Sequence, residues 1–270
     1  LAGPPGALHV SGLFVHPVKS CAGIAVERWP LTPRGLRWDR HWMLVTRDGK
    51  FASQRSIPRL SQIRTALEPT HLVLHHDALP DLRLPLARVP GVRREVEVWD
   101  DVCLAEDQGD LAADWFTRAV DEPLRLVRKT EDPDRTVDSR YAPPGHVTDF
   151  ADGFPVLVTT EASLAALNQD LRNPVDMRRF RANVVIAGSQ PWAEDAWRQI
   201  RIETAVLALV KPCARCSIVT VDPDSGQGGA EPLRTLARLR NQDGKVLFGQ
   251  NVLVLHAGEV AVGDRVVVVE

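Results

Sequence analysis

Cysteine is scarce. Cys21, Cys103, Cys213 and Cys216 are all the chain has in 270 residues, too few for a disulfide-built secreted fold, so a reducing cytoplasm is the compartment expected. Long apolar runs are missing, and no segment reads as a membrane span. The opening "LAGPPGALHV" has neither the basic flank nor the apolar core of a signal peptide. An excess of one charge is also lacking: a net charge of -2 and a pI near 6.5 supply no field that would hold a nucleic-acid backbone. Any anionic ligand must therefore meet a local cluster of cations. Repeats and low-complexity tracts are absent. What is present is an ordinary globular composition, 44% hydrophobic and 25% charged. Most of its 33 basic residues are arginine, whose planar fork suits capture of phosphate or carboxylate.

The periodicity is mainly β. Runs such as "LFVHPV", "HWMLVT", "HLVLHH", "RIETAVLALV", "CSIVTV", "VLFGQNVLVL" and "DRVVVVE" are short, β-branched or aromatic, and bounded by Gly, Pro or Asp, a pattern of barrels or sandwiches. "VEVWDDVCLA" reads as a hairpin turning at Asp100 and Asp101. Three segments have helical spacing instead. In "DLAADWFTRAV", Leu111, Trp115 and Ala119 share a face behind an Asp110 cap. In "TTEASLAALNQDL", Thr160 caps a stripe of Leu164, Leu167 and Leu171. In "EPLRTLARLR", Pro232 suits a first turn. The polar stretch Lys129 to Phe150 reads as a linker. It divides the chain into residues 8–128 and 129–270.

The stretch "KPCARCSIVTVDPDSG" places two cysteines three apart. A zinc site needs a second half, and Cys21 and Cys103 are isolated, while His71 and His75 on one strand would stand about 13 Å apart. A thioredoxin-like dithiol wants a helix after the first thiol, and here the following residues read as a strand. Two buried thiols in a β-core are the bland reading. The remaining one is a lone thiolate on a metal: Cys216 at a strand start, with Arg215 beside it and Lys211 nearby. Its further ligands would have to come with an organic cofactor.

Several motifs in order resemble one family. "KPCARCSIVTVDPDSG", "EPLRTL" and "LFGQNVLVLHAGEVAVGD" are similar to the C-terminal half of MOSC-domain proteins. "LFVHPVKSCAGIAVERWPLTPRGLRWDRHWMLV" resembles the β-barrel domain that precedes MOSC in the branch containing the mitochondrial amidoxime-reducing component and its bacterial relatives. "DGFPVLVTTEASLAALN" and "FRANVVIAG" fill the middle. The resemblance implies a mainly β (α+β) fold of two β-barrel-rich domains, an N-terminal MOSC barrel over 8–128 and a MOSC domain over 129–270. It also implies a molybdenum–molybdopterin cofactor whose metal takes its protein sulfur from Cys216, with Cys213 dispensable.

Carried over by motif, the cofactor is held by Lys19 and Ser20 in "PVKS", Arg40 in "WDRHW", and backbone groups of Gly153 and Phe154. Arg181 and Asn183 in "FRAN", Ala214 and Arg215 flanking the thiolate, and Asn251 after "FGQ" complete the set. Strand alternation puts Arg181 and Asn183 on one face, and a bland reading of Arg40 stacks it among Trp38 and Trp42. The implied activity is reduction of N-hydroxylated compounds. The chain stops at Glu270 with no cysteine cluster, so electrons are expected from a separate ferredoxin-like or flavoprotein donor. A soluble, cytoplasmic monomer is expected, with no nucleic acid or membrane partner. A cofactor carrier or sulfuration module without turnover, and a metal-free scaffold, are the alternatives.

Overall fold

The structure, a computed structural model, describes residues 6–130 and 134–270. Seven strands form a barrel. His9–Val15 pairs antiparallel with Val184–Ala187, which runs parallel to Val156–Thr160. Lys245–His256 follows, then Ala205–Ala214, Gln199–Ile202 and Val266–Val268, all antiparallel. The last strand returns to the first: Val266 N–H donates to Leu8 O and Val10 N–H to Asp264 O, each at 2.9 Å. Closure of this kind leaves no long open edge. Alternate side chains point inward, so Val156 and Val158, Val184 and Ile186, Ile200 and Ile202, and Leu207 and Leu209 meet in one core.

A second unit sits beside the barrel. Trp42–Val45, Arg125–Lys129, Asp101–Asp107 and Arg93–Val98 make one antiparallel sheet, and Arg64–Leu67, His71–His76 and Leu79–Pro85 another. The helix Asp110–Val120 packs between them, burying Trp115, Phe116 and Ala119. Sheet pairing links the two ends of the chain, because Arg28–Thr32 pairs with Gly258–Ala261.

Several local expectations are corrected. Leu111 is 74% exposed, because Gly109 takes the N-cap and Asp110 becomes the first helical residue, where its carboxylate meets Arg125 at 2.9 Å. Thr160 does cap its helix, accepting from Ser163 N, but Pro232 lies at the N-cap of Leu233–Leu239 and not in its first turn. The hairpin turns one residue early, at Trp99 and Asp100, with Val98 opposite Asp101. Where a strand was expected after Cys216, Ser217–Thr220 is a 3-10 turn. Val219 swings inward there to pack with Phe180 and Phe248, a tertiary contact that overrides β-branched propensity.

The stretch expected as a linker is folded in, apart from residues 131–133, which lie outside the described residues. Arg135–Thr136 pairs with Val147–Thr148. The buried Arg135 guanidinium donates to Asp149 O, Ala151 O and Asp101 Oδ2, each at 2.7 Å. A polar composition misreads as solvent-facing when one buried arginine satisfies the surrounding carbonyls.

Candidate functional site

The strand Ala205–Ala214 slips register three times, between Val206 and Leu207, between Leu209 and Lys211 and between Pro212 and Ala214. Such bulges re-aim a strand end and tolerate a proline. They carry Cys213 to Cys216 to the wall of a cleft that is open to solvent. All eleven residues singled out in the sequence line it: Lys19, Ser20, Arg40, Gly153, Phe154, Arg181, Asn183, Ala214, Arg215, Cys216 and Asn251.

Lys19 is 6% exposed, and its ammonium donates to Phe150 O at 2.8 Å and Asp152 Oδ1 at 2.5 Å. Burial pushes its pKa below that of an ordinary lysine, against the pull of Asp152. Desolvation alone would raise Asp152, but Lys19 outweighs it and holds the carboxyl well below the usual range. The Asp152 side chain is nevertheless 71% exposed, so water screens the pair on that side. Ser20 Oγ is left with a single long contact, 3.5 Å from Ala52 O.

Arg40 is clamped. It donates to Asp39 Oδ2 at 2.5 Å, Asn183 Oδ1 at 3.2 Å and Arg181 O at 3.0 Å. It does not stack on the tryptophans; Arg37 and Arg128 lie over Trp38 instead. Behind it His16 is buried, and burial, with Arg40 and Arg181 nearby, drives its pKa down to about 3, so the ring is neutral. Arg181 lies not on a strand but just after the 3-10 turn Met177–Phe180, in left-handed backbone with φ 54°. The expected alternation with Asn183 therefore fails, although both reach the cleft by different routes. Arg181 donates to Cys21 O at 2.6 Å. Burial and the nearby Arg40 lower its pKa to about 10, which leaves it charged at neutral pH.

Cys216 is exposed. Arg215 does not sit against it: its guanidinium donates to Cys213 Sγ at 3.0 Å and to Phe180 O at 2.7 Å. Lys211 has also turned away, its ammonium 4.4 Å from the Tyr141 ring. Among the described residues no three His, Cys, Asp or Glu side chains converge as a metal site, so a metal on Cys216 would take its other ligands from a bound group.

Two features bind the cleft into one functional unit. Among the described residues its lining carries the cations Lys19, Arg40, Arg55, Arg181 and Arg215 against one carboxylate, Asp152, a field suited to an anion. Ser20, Arg40, Trp99 and Arg181, all in the lining, have non-glycine backbone at positive φ, strain of about 1 kcal/mol or more each that concentrates at working sites. A family model described as the MOSC N-terminal beta barrel domain matches residues 7–123, and one described as the MOSC domain matches residues 145–267. The chain belongs to the MOSC family.

Among curated relatives of this MOSC protein, mitochondrial amidoxime-reducing component 1 of Homo sapiens is 34% identical over 286 residues, covering 95% of this chain and 82% of that one. The Danio rerio protein of the same name is 32% identical, with 95% and 83% covered. The molybdenum cofactor sulfurase of Oryza sativa subsp. japonica is 33% identical over 96% of this chain, which spans only 34% of that protein.

Sequence reading missed part of the MOSC cleft. Phe51, Ser53, Arg55, Trp99 and Asp152 also line it. Nothing in the sequence pointed to Trp99, because two aspartates suited to a turn placed the hairpin one residue late, at Asp100 and Asp101.

Proposed function

We propose that the cleft seats a molybdenum–molybdopterin cofactor through Cys216, and that the protein reduces amidoximes, hydroxylamines and N-hydroxylated bases with electrons from a separate donor protein, in the cytoplasm. The observation that carries this reading is the joining of an exposed thiol to a cleft of five cations and one carboxylate. The donor set suits an anionic, hydrogen-bonding group. Lys19 has three N–H donors and two acceptors, and Ser20 Oγ is barely engaged.

When bound, the cofactor supplies a two-electron centre that can accept an oxygen atom. In the overall reaction the N–O bond breaks, two electrons and two protons are consumed, and water leaves. Lys19 and Ser20 would anchor the anionic end, and Arg40 would reach it from the far wall. Asn183 acts through Arg40, because its amide is already spent on Arg40, Leu157 N and Phe14 O. Arg181 closes the floor as a buried cation. Arg215 holds Cys213 aside, which leaves Cys216 as the free sulfur.

Protein made in a host that synthesises the cofactor should carry near-stoichiometric molybdenum with pterin fluorescence, and reduce benzamidoxime when given a donor. Zinc without pterin would overturn the reading. The likeness to the rice sulfurase supports a second one, a carrier or sulfuration module; loaded protein that never turns over with any donor would favour it.

A further inference from the structure

Trp99 is poorly placed if stability were its only purpose. It occupies the two-residue hairpin turn with φ 59°, backbone that favours glycine or asparagine and disfavours an indole. Its side chain is 42% exposed, so it is not retained to fill the core. Yet it is fixed. Nε1 donates to Asp152 Oδ1 at 3.2 Å, and Phe51 braces the ring at a centroid distance of 4.9 Å. The strained turn thus presents a braced aromatic surface to the cleft that Cys216 also lines.

Arg55 covers this ring, with its guanidinium 4.2 Å from the centroid. It is an exposed side chain, and an exposed cation on an aromatic face is a weakly held cover. A flat conjugated molecule can take its place, gaining ring-on-ring contact that a small non-planar molecule cannot make.

We propose that Trp99 is the stacking platform for substrate, so that the protein prefers planar conjugated N-hydroxylated compounds, such as aromatic amidoximes and N-hydroxylated bases, over simple hydroxylamines. The inference rests on the reductase reading for its chemistry, but not for its binding test.

Benzamidoxime, added without reductant to protein prepared from the cofactor-competent host, should bind. Trp99→Ala should weaken that binding about tenfold, in line with loss of one aromatic stack, while Trp99→Phe stays within about threefold of the parent. In turnover, the ratio of kcat/KM for benzamidoxime to that for hydroxylamine should fall about tenfold in Trp99→Ala and largely recover in Trp99→Phe. An unchanged ratio, with both substrates losing equally, would make Trp99 a structural residue and overturn the proposal. So would a Phe variant as poor as the Ala variant, because the indole N–H to Asp152 would then be what matters. If the protein reduces neither substrate, the reductase reading falls, and the binding comparison still decides the platform.

Discussion

Replacing Lys19 with methionine should separate what this residue does for binding from what it does for folding. At about 4 Å and an effective dielectric near 20, an ammonium and an anionic oxygen interact by about 4 kcal/mol. The cleft is open where Asp152 is 71% exposed, and screening there reduces the useful part to about 2 kcal/mol, or about thirtyfold in affinity. On the folding side, Lys19 is 6% exposed, and a buried ion costs several kcal/mol before pairing. Its loss leaves Phe150 O without that partner, at about 1–3 kcal/mol. The terms oppose, so Lys19→Met should change stability by less than about 1.5 kcal/mol.

The pH dependence gives a second check. Burial lowers the Lys19 pKa in the folded state, so the unfolded chain binds that proton more tightly. Stability from this group therefore rises as pH climbs from the folded pKa toward the unfolded value of about 10.4, and the penalty is present below. Lys19→Met should lose that alkaline gain. The assays are denaturant unfolding between neutral and alkaline pH, and molybdenum and pterin retained after dialysis. A variant that keeps its cofactor, or loses more than about 3 kcal/mol of stability, would refute the reasoning.

Cys216→Ala should lose molybdenum and activity by elemental analysis and turnover, whereas Cys213→Ala should retain most of both; the reverse result would reassign the ligand. Phe116→Ala, which empties a fully buried ring site between the helix Asp110–Val120 and its sheets, should cost about 3–5 kcal/mol in denaturant unfolding and lower loading only as far as it unfolds the protein. Glu194 is buried and hydrogen-bonded by Thr160 and Ser163, and burial raises its pKa. The folded state thus holds its proton more tightly, and this group's contribution improves as pH falls through the folded pKa toward the unfolded glutamate value. Glu194→Gln should flatten that slope in unfolding curves measured across it.

The barrel was legible as short β-branched runs such as "RIETAVLALV" and "VLFGQNVLVL", although the first run is divided between two strands, Gln199–Ile202 and Ala205–Ala214. Which strands are neighbours was not, because His9–Val15 and Val266–Val268 meet only when the barrel closes. The cleft residues were legible through motif resemblance, not periodicity. Arg181 shows the difference: alternation placed it on a strand, while the chain puts it in left-handed backbone after a 3-10 turn, held by Cys21 O, 160 residues away in sequence. Arg215 was read as a neighbour of Cys216 by adjacency, but the strand bulges at Pro212 and Ala214 direct its guanidinium to Cys213. Sequence proximity predicts side-chain contact poorly wherever the backbone leaves regular geometry.

The crowding of cations in this cleft leads to the last prediction. Lys19 and Arg181 are both displaced below their ordinary pKa values, first by burial and then in part by Arg40. Without an anion, the fold carries this repulsion and desolvation with Asp152 and Asp39 as the nearest counter-ions. An anion seated among them removes part of that cost, and by linkage it must stabilise the folded state. Inorganic pyrophosphate at about a hundred times its Kd should add about 2.7 kcal/mol, a rise of roughly 5–10 °C in the Tm of cofactor-free protein. The rise should shrink in Arg40→Ala and fall to about a third in Lys19→Met, as a Kd weakened about thirtyfold requires. Sodium chloride at matched ionic strength should give only a small part of it, because screening acts weakly on buried charges. An equal rise in chloride, or none in pyrophosphate, would mean that these cations serve the fold and not a ligand.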